Sequence, residues 1–237
     1  MLLPRLQDIK HKNQMYRLLR AVLQNNILAN NLYFKGGTYA VLRGVLDRFS
    51  VDLDFDLPDV SRKDQVRQEC YKVFEKLNLE IKDESKKHLQ FFLKYKSKVN
   101  ERNTLKLEIN DDVNKANIYE KVNLLEVNMY CNGHTLDTMF ANKLIAAMAR
   151  FEKNGKIAGR DFYDIHYFFL EGIAINEAVI KNKTGLSLKE YLAKLRIFIK
   201  EHLTETSLNH DLNPLLKPKK VNFVIENLRQ ELLEMLV

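Results

Sequence analysis

Two periodicities divide the chain, a helical one near its ends and a strand-like one in between. Apolar residues recur every three or four positions over residues 5–30, and short runs alternate with polar residues over residues 79–130. From residue 133 the helical spacing returns. Since a period near 3.6 predicts helices and a period of 2 predicts strands, we expect an α/β (α+β) protein. A first domain with a small mixed sheet should cover residues 1–132, and a helical domain should cover residues 133–237.

The pattern also places individual elements. Between the second and third expected strands, proline in Leu57–Asp59 predicts a turn, and a helix should begin at Ser61. The expected strands are Leu32–Lys35, Val51–Asp56, Leu79–Ile81, Leu89–Tyr95, Thr104–Ile109 and Leu124–Val127.

Carboxylates alternate with apolar residues in the second of these strands. Asp52, Asp54 and Asp56 should project from one face, with Val51, Leu53 and Phe55 packed beneath. Three acids side by side repel one another, and a bound cation offsets that repulsion. Mg²⁺ takes oxygen ligands and is commonly held by one or two carboxylates plus substrate phosphates. The strand is therefore a candidate metal site, and a surface strand rich in aspartate is the alternative.

A glycine turn precedes the acidic strand. Gly36 and Gly37 stand between Lys35 and Thr38, and a segment with helical spacing follows. Glycine lets the backbone approach a ligand and turn sharply, and free N–H groups at a helix start bind anions such as a triphosphate. A short glycine motif alone is a weak signal, and a plain turn would also explain it. The combination with the acidic strand favours a functional site.

Two features of the second domain carry charge into apolar surroundings. Lys143 lies in a segment that is otherwise short of charge, where it is either a lysine snorkelling from a packed helix or a cation that binds phosphates. Asp161 and Asp164, beside Arg160, occupy one side of a helical turn. An N-cap at Asp161 with Asp164 in the first turn would account for this pair.

These motifs resemble a known family. The glycine pair, a short helix and an Asp-x-Asp strand are similar to the nucleotidyltransferase superfamily that includes DNA polymerase beta. More narrowly, Lys35–Thr38 followed by Arg48-Phe49-Ser50-x-Asp52-x-Asp54 resembles the AbiEii/AbiGii toxins of abortive-infection and toxin–antitoxin systems. Asn142–Leu144 and Arg160–Asp164 match later motifs of that family in order and spacing.

The resemblance implies a nucleotidyltransferase-like lobe followed by a helical lobe that completes an active-site cleft. It also implies a third carboxylate on a neighbouring strand that completes the metal site. Glu108 is the candidate by chain order. The alternative is a solvated acid on an edge strand, paired with Lys106.

The expected site residues fall into three groups. The metal ligands are Asp52, Asp54 and Glu108, for Mg²⁺ or, as the alternative ion, Mn²⁺. The nucleotide-binding residues are Lys35, Gly36, Gly37, Thr38, Arg48, Ser50 and Lys143. The catalytic residues are Asp52, Asp54, Lys143, Asp161 and Asp164, and the sequence does not decide which of Asp161 and Asp164 acts on the acceptor or orients Lys143.

Composition indicates the partners and the cellular compartment to expect. The formal net charge of +7 favours association with polyanions, RNA included. No apolar run approaches the roughly 20 residues of a membrane span, and the first residues are too polar for a signal peptide, so a cytoplasmic protein with no membrane partner is expected. Cys70 and Cys131 stand far apart, which indicates neither a disulfide scaffold nor a zinc site.

The resemblance implies a Mg²⁺-dependent transfer of a nucleotidyl group from an NTP to an acceptor, with tRNA as the expected acceptor. The protein would then be a growth-inhibiting toxin neutralised by a separately encoded antitoxin. Two alternatives are a transferase that acts on a small molecule or a protein, and a non-catalytic protein of the same fold that binds nucleotide or RNA.

Overall fold

The structure is a computed structural model and describes residues 1, 3, 5–99 and 101–236. The chain divides into two compact units. The first contains the residues up to Val113 together with Ile118–His134, and the second contains Asn114–Asn117 together with the residues from Thr135 onward.

The first unit is built on a mixed sheet, which in the described residues has seven strands in the order β3-β4-β5-β2-β1-β7-β6. The β1/β7 and β2/β5 pairs are parallel, and the other neighbours are antiparallel. The predicted α/β fold is therefore confirmed. The strands are β1 Tyr33–Lys35, β2 Asp52–Asp56, β3 Glu80–Glu84, β4 Leu89–Lys94, β5 Thr104–Asn110, β6 Tyr119–Leu124 and β7 Met129–His134.

Helices of the first unit pack on this sheet. Helix α1 contacts β2, β5 and β7, and α4 contacts β3 and β4. The helices are α1 Asp8–Gln24, α2 Asn26–Asn31, α3 Gly36–Leu42 and α4 Lys63–Lys76, with a 3-10 turn at Val60–Arg62. The single helix predicted over residues 5–30 is in fact two, because the Asn25 side chain accepts hydrogen bonds from the N–H groups of Ile27 and Leu28 and caps α2.

The predicted strand Leu124–Val127 is wrong. Residues 125–128 form the turn of a hairpin between β6 and β7, and Asn128 takes a positive φ of 51° there. Strand β6 lies at the end of the sheet, so much of it stays accessible and its sequence lacks a clear apolar alternation.

The second unit consists of helices. They are α5 Leu136–Asn154, α6 Gly159–Leu170, α7 Glu177–Thr184, α8 Leu188–His202, α9 Glu205–Leu212 and α10 Pro218–Met235. Contacts link α5 to α6 and α7, and α6 to α9 and α10. None of the helices in the described part of the chain is long and apolar enough to cross a membrane.

Candidate active site

Strand β2 has one apolar and one acidic face, as its alternation predicts. Leu53 and Phe55 are buried, and the Phe55 ring stacks on Phe34 of β1 with 4.7 Å between ring centroids. Asp52 and Asp54 point the other way and are half-buried. The buried aromatic pair holds β1 and β2 together beneath the carboxylates.

Residues from four strands line up on the acidic face. Because directly paired residues share a face of the sheet, each pair in the register is a side-chain neighbour. One row contains Lys35, Asp54, Glu108 and Gln90, and the next contains Asp52 and Lys106. The structure therefore brings together three carboxylates predicted to bind metal and a lysine predicted to bind nucleotide.

The carboxylates on this face influence one another. Burial, followed by the negative charges of Asp52 and Glu108, raises the pKa of Asp54 to about 6. The charges of Lys35 and Lys106 lower it only in part. A positive charge bound beside Asp54 would relieve this repulsion.

Glu108 lies on an interior strand and not on an edge. Strand β5 pairs with β4 on one side and β2 on the other, so the edge-strand alternative is wrong in that respect. The ion pair with Lys106 is present. Burial opposes ionisation of Glu108, but the hydrogen bond and charge of Lys106 outweigh it and lower its pKa.

The donor chemistry fits a hard divalent cation, since carboxylate oxygens are the ligands that Mg²⁺ takes and their mutual repulsion is visible at Asp54. Within residues 1, 3, 5–99 and 101–236, however, no group of three or more acidic, histidine or cysteine side chains is already arranged around a metal position. Asp52 and Asp54 are therefore candidate ligands, and Glu108 would first have to leave Lys106.

Both glycines of the turn are required by close approach. Gly36 has φ of +77°, and a Cβ there would lie 2.4 Å from Asp54 Oδ2. A Cβ at Gly37 would lie 2.4 Å from Arg48 Nη2. A side chain at either position would therefore displace the Asp54 carboxylate or the Arg48 guanidinium.

The other residues predicted to contact phosphates bind within the protein. Thr38 is fully buried, and its Oγ1 lies 2.9 Å from Ser50 Oγ and 2.5 Å from the Asp52 carbonyl. Arg48 is 3% exposed and donates to the Phe49 carbonyl at 2.9 Å. These side chains support the turn and the start of β2.

Sequence reasoning missed a buried network around Asp56. Lys35 Nζ lies 2.5 Å from Asp56 Oδ1, and His134 Nε2 and Tyr119 OH lie 2.8 Å and 3.1 Å from Oδ2. Burial opposes ionisation of Asp56, but His134 and Lys35 hold its pKa well below the usual range. Asp56 thereby fixes the ammonium group of Lys35. In the sequence, the available signal was that Asp56 ends the alternating strand. The partners of Asp56 could not be found in the same way, because they lie far away in the chain.

A second charged cluster joins α5 to α6. Lys143 Nζ lies 3.1 Å from Asp161 Oδ1 and 3.0 Å from Asp164 Oδ2, and Arg150 Nη2 lies 3.3 Å from Asp161 Oδ2. Both aspartates are buried. The N-cap of α6 is Ala158, so the alternative with Asp161 as N-cap is wrong. The structure brings together the three predicted residues of this domain, with Lys143 held by both acids.

Among the solved structures that resemble the chain over nearly its whole length are two nucleotidyltransferase folds. One is a crystal structure of a candidate nucleotidyltransferase from H. pylori, with a TM-score of 0.60 and 19% identity, covering 98% of this chain and 94% of that chain. The other is MenT4, a nucleotidyltransferase toxin from Mycobacterium tuberculosis H37Rv, with a TM-score of 0.58 and 19% identity, covering 98% and 85%. At this identity the likeness shows the fold. A comparison with curated protein sequences gave no match.

The sequence itself carries the family assignment. Residues 17–231 match the family profile described as nucleotidyl transferase AbiEii toxin, type IV toxin–antitoxin system. The match includes the acidic strand, the glycine turn and the Lys143 cluster. The chain is thus an enzyme, a nucleotidyltransferase, and it belongs to the AbiEii family of toxins from type IV toxin–antitoxin systems.

Proposed function

We propose that the chain transfers a nucleotidyl group from an NTP to an RNA acceptor, tRNA being the proposed acceptor, in a Mg²⁺-dependent reaction. The observation that carries the proposal is the row of Lys35, Asp54 and Glu108 beside Asp52, with the Gly36 backbone against Asp54. The bound cation, Mg²⁺ or Mn²⁺, would neutralise the triphosphate and lower the pKa of the attacking hydroxyl.

The residues of the chain supply positioning and charge. Asp52 and Asp54 are proposed to hold the cation, with Glu108 as a further ligand once it leaves Lys106. The triphosphate is proposed to lie against the Gly36-Gly37 backbone, where Lys35 adds positive charge. Phosphoryl chemistry asks for little covalent participation by the protein, so orientation and electrostatics account for the rate.

Lys143 is proposed to be required for transfer. Asp161 and Asp164 hold its ammonium group from two directions, and this supports a role for both acids in setting its position. An acid that acted directly on the acceptor would need to release Lys143 first.

The proposed acceptor rests on charge. A net charge of +7 favours a polyanion such as tRNA over a cationic small molecule. We place the reaction in the cytoplasm, where NTPs and tRNA are available, with a separately encoded antitoxin that counters it.

The test is incubation of the purified protein with each radiolabelled NTP, Mg²⁺ and total tRNA. Asp52→Asn should lower the transfer rate by at least about 10²-fold, the size of effect seen when one electrostatic group is lost from an active site. Asp59→Asn is the matched control, because Asp59 is an exposed aspartate just beyond the strand. EDTA should abolish transfer by the wild type.

The pattern of label separates the alternatives. Label on tRNA that disappears in Asp52→Asn supports the proposal. Label on protein or on small molecules would keep the chemistry and discard the acceptor. Bound NTP with no transfer to any acceptor would overturn the proposed reaction in favour of a binding protein.

A further inference from the structure

The segment that leads into β2 is held by side chains. It runs from Arg43 to Val51, between the end of α3 and the start of β2, and belongs to no helix or strand. Its last residue, Val51, directly precedes Asp52 of the acidic face. Three carbonyls here accept side-chain hydrogen bonds: Phe49 O from Arg48, Val51 O from His11 and Asp52 O from Thr38.

His11 reaches this segment from α1. Its side chain is buried, with Nε2 2.9 Å from the Val51 carbonyl and Nδ1 2.9 Å from Tyr95 OH. A carbonyl oxygen can only accept a hydrogen bond, so Nε2 must carry the proton in this contact. The ring also meets Phe49 edge to face, at 6.1 Å between centroids.

His11 lies on the buried face of α1, one turn after the buried Asp8. It continues the buried stripe that Met15, Leu18 and Val22 form along α1. A leucine would fill such a position, and burying an imidazole costs free energy unless its nitrogens are hydrogen-bonded. The contacts with Val51 and Tyr95 offset this cost.

Together His11 and Thr38 hold both peptide planes that flank Asp52. The Val51 carbonyl and the Asp52 nitrogen share one planar unit, and the Asp52 carbonyl belongs to the next. Fixing the two oxygens fixes the backbone dihedrals of Asp52 and hence the direction of its Cα–Cβ bond. Asp52 is the first residue of β2, and the register pairs it with Lys106 of β5 on one side and with no described residue of β1 on the other.

We propose that His11 is a positioning residue of the transferase, which aims the Asp52 carboxylate through the Val51 carbonyl. The inference rests on the proposed function, because it matters for the reaction only if Asp52 takes part. His11 itself touches no reacting group.

Two amide variants separate the contacts of the ring. The amide nitrogen of His11→Gln reaches the place of Nε2 and can still donate to Val51, whereas that of His11→Asn reaches only the place of Nδ1. Both variants bury one amide, and their side chains differ by one methylene group. Tyr95→Phe removes the other partner of the ring, together with the hydrogen bond that Tyr95 OH donates to the Arg102 carbonyl, and keeps the Val51 contact.

The rate of transfer and local hydrogen exchange are measured together. His11→Asn should lower kcat about tenfold or more, since small misplacements of a reacting group are costly, while KM for the NTP stays within about threefold. Amide exchange should rise over residues 50–54 and not elsewhere in the first unit. His11→Gln and Tyr95→Phe should keep kcat within about threefold of the wild type.

Several results would overturn the proposal. These are an equal loss of kcat in His11→Gln and His11→Asn, a rise in exchange throughout the first unit, and a loss in Tyr95→Phe as large as that in His11→Asn. If His11→Asn does not fold, His11→Leu takes its place, because leucine keeps the apolar volume and removes the donor to the Val51 carbonyl; it should show the same loss of kcat, and a kcat equal to that of the wild type would overturn the proposal. Absence of transfer by the wild type would instead refute the proposed function, and the exchange data would still test the contact.

Discussion

Gly36 shows how one missing methyl group shapes the proposed site. Gly36 and Gly44 have nearly the same positive φ, +77° and +78°, but only at Gly36 would a Cβ meet Asp54; at Gly44 it would meet open space. Both alanine variants should lose about 1 kcal/mol of unfolding free energy from backbone strain. Gly36→Ala should in addition displace Asp54 and lower the transfer rate at least about tenfold.

Gly44→Ala is thus the control, because it introduces the backbone strain without displacing Asp54. Urea unfolding and the NTP-transfer assay on both variants measure the two effects separately. Equal activity of the two variants would show that the contact between Gly36 and Asp54 is irrelevant to the reaction.

Asp54 should make stability depend on pH. Its pKa is raised from 3.8 to about 6 in the folded protein, so between these values the folded state binds more protons than the unfolded state. The free energy of unfolding therefore falls as the pH rises through this window. Asp54→Asn cannot ionise, and at pH 7.5 it should be more stable than the wild type by up to about 3 kcal/mol.

The measurement is urea unfolding of both proteins at pH 4 and pH 7.5 in EDTA. The advantage of the variant should shrink towards pH 4, where Asp54 is protonated. Adding Mg²⁺ at pH 7.5 should also shrink it, because a bound cation stabilises the ionised carboxylate of the wild type. A difference independent of both pH and Mg²⁺ would contradict this account.

The pairing of α5 with α6 depends on buried charge. Lys143→Met removes the cation that lies between Asp161 and Asp164, and breaking a buried ion pair costs about 3–5 kcal/mol. Thermal unfolding should therefore shift down strongly, whereas Lys153→Met, at an exposed position of the same helix, should change little.

Lys143→Arg separates stability from catalysis. It keeps the charge but moves it, so the variant should retain most of the stability and lose transfer if the ammonium position matters. Full activity in a folded Lys143→Arg would argue that Lys143 stabilises the helix pair and does no more.

The sequence predicted well those elements whose pattern is complete within a few neighbouring residues. The acidic strand and the glycine turn each reveal themselves within a few residues, because alternation and glycine are local properties. The β6–β7 hairpin did not, since an edge strand buries little and Asn128 supplies its turn without glycine or proline. The contacts that position the site were also invisible. His11 meets Val51 across 40 residues, and His134 meets Asp56 across 78.

At the scale of the whole molecule, family membership and fold followed from motifs that lie in sequence order. What the sequence left open was the use of each side chain. Thr38 and Arg48 have residue types that bind phosphates, yet both are buried and support neighbouring backbone. Only the packed structure shows whether a polar side chain faces a ligand itself or instead holds the backbone that faces the ligand.

The order of the sheet has a consequence during translation. Strand β2 is made early, but its neighbour β5 follows only after α4, β3 and β4, and the strand β7 that borders β1 comes later still. A nascent chain therefore cannot assemble the acidic face until β5 has left the ribosome, and β1 stays uncovered on one side until β7 emerges. Each ribosome that synthesises this chain therefore carries a sheet without its complete acidic face until at least the first 110 of the 237 residues have been made.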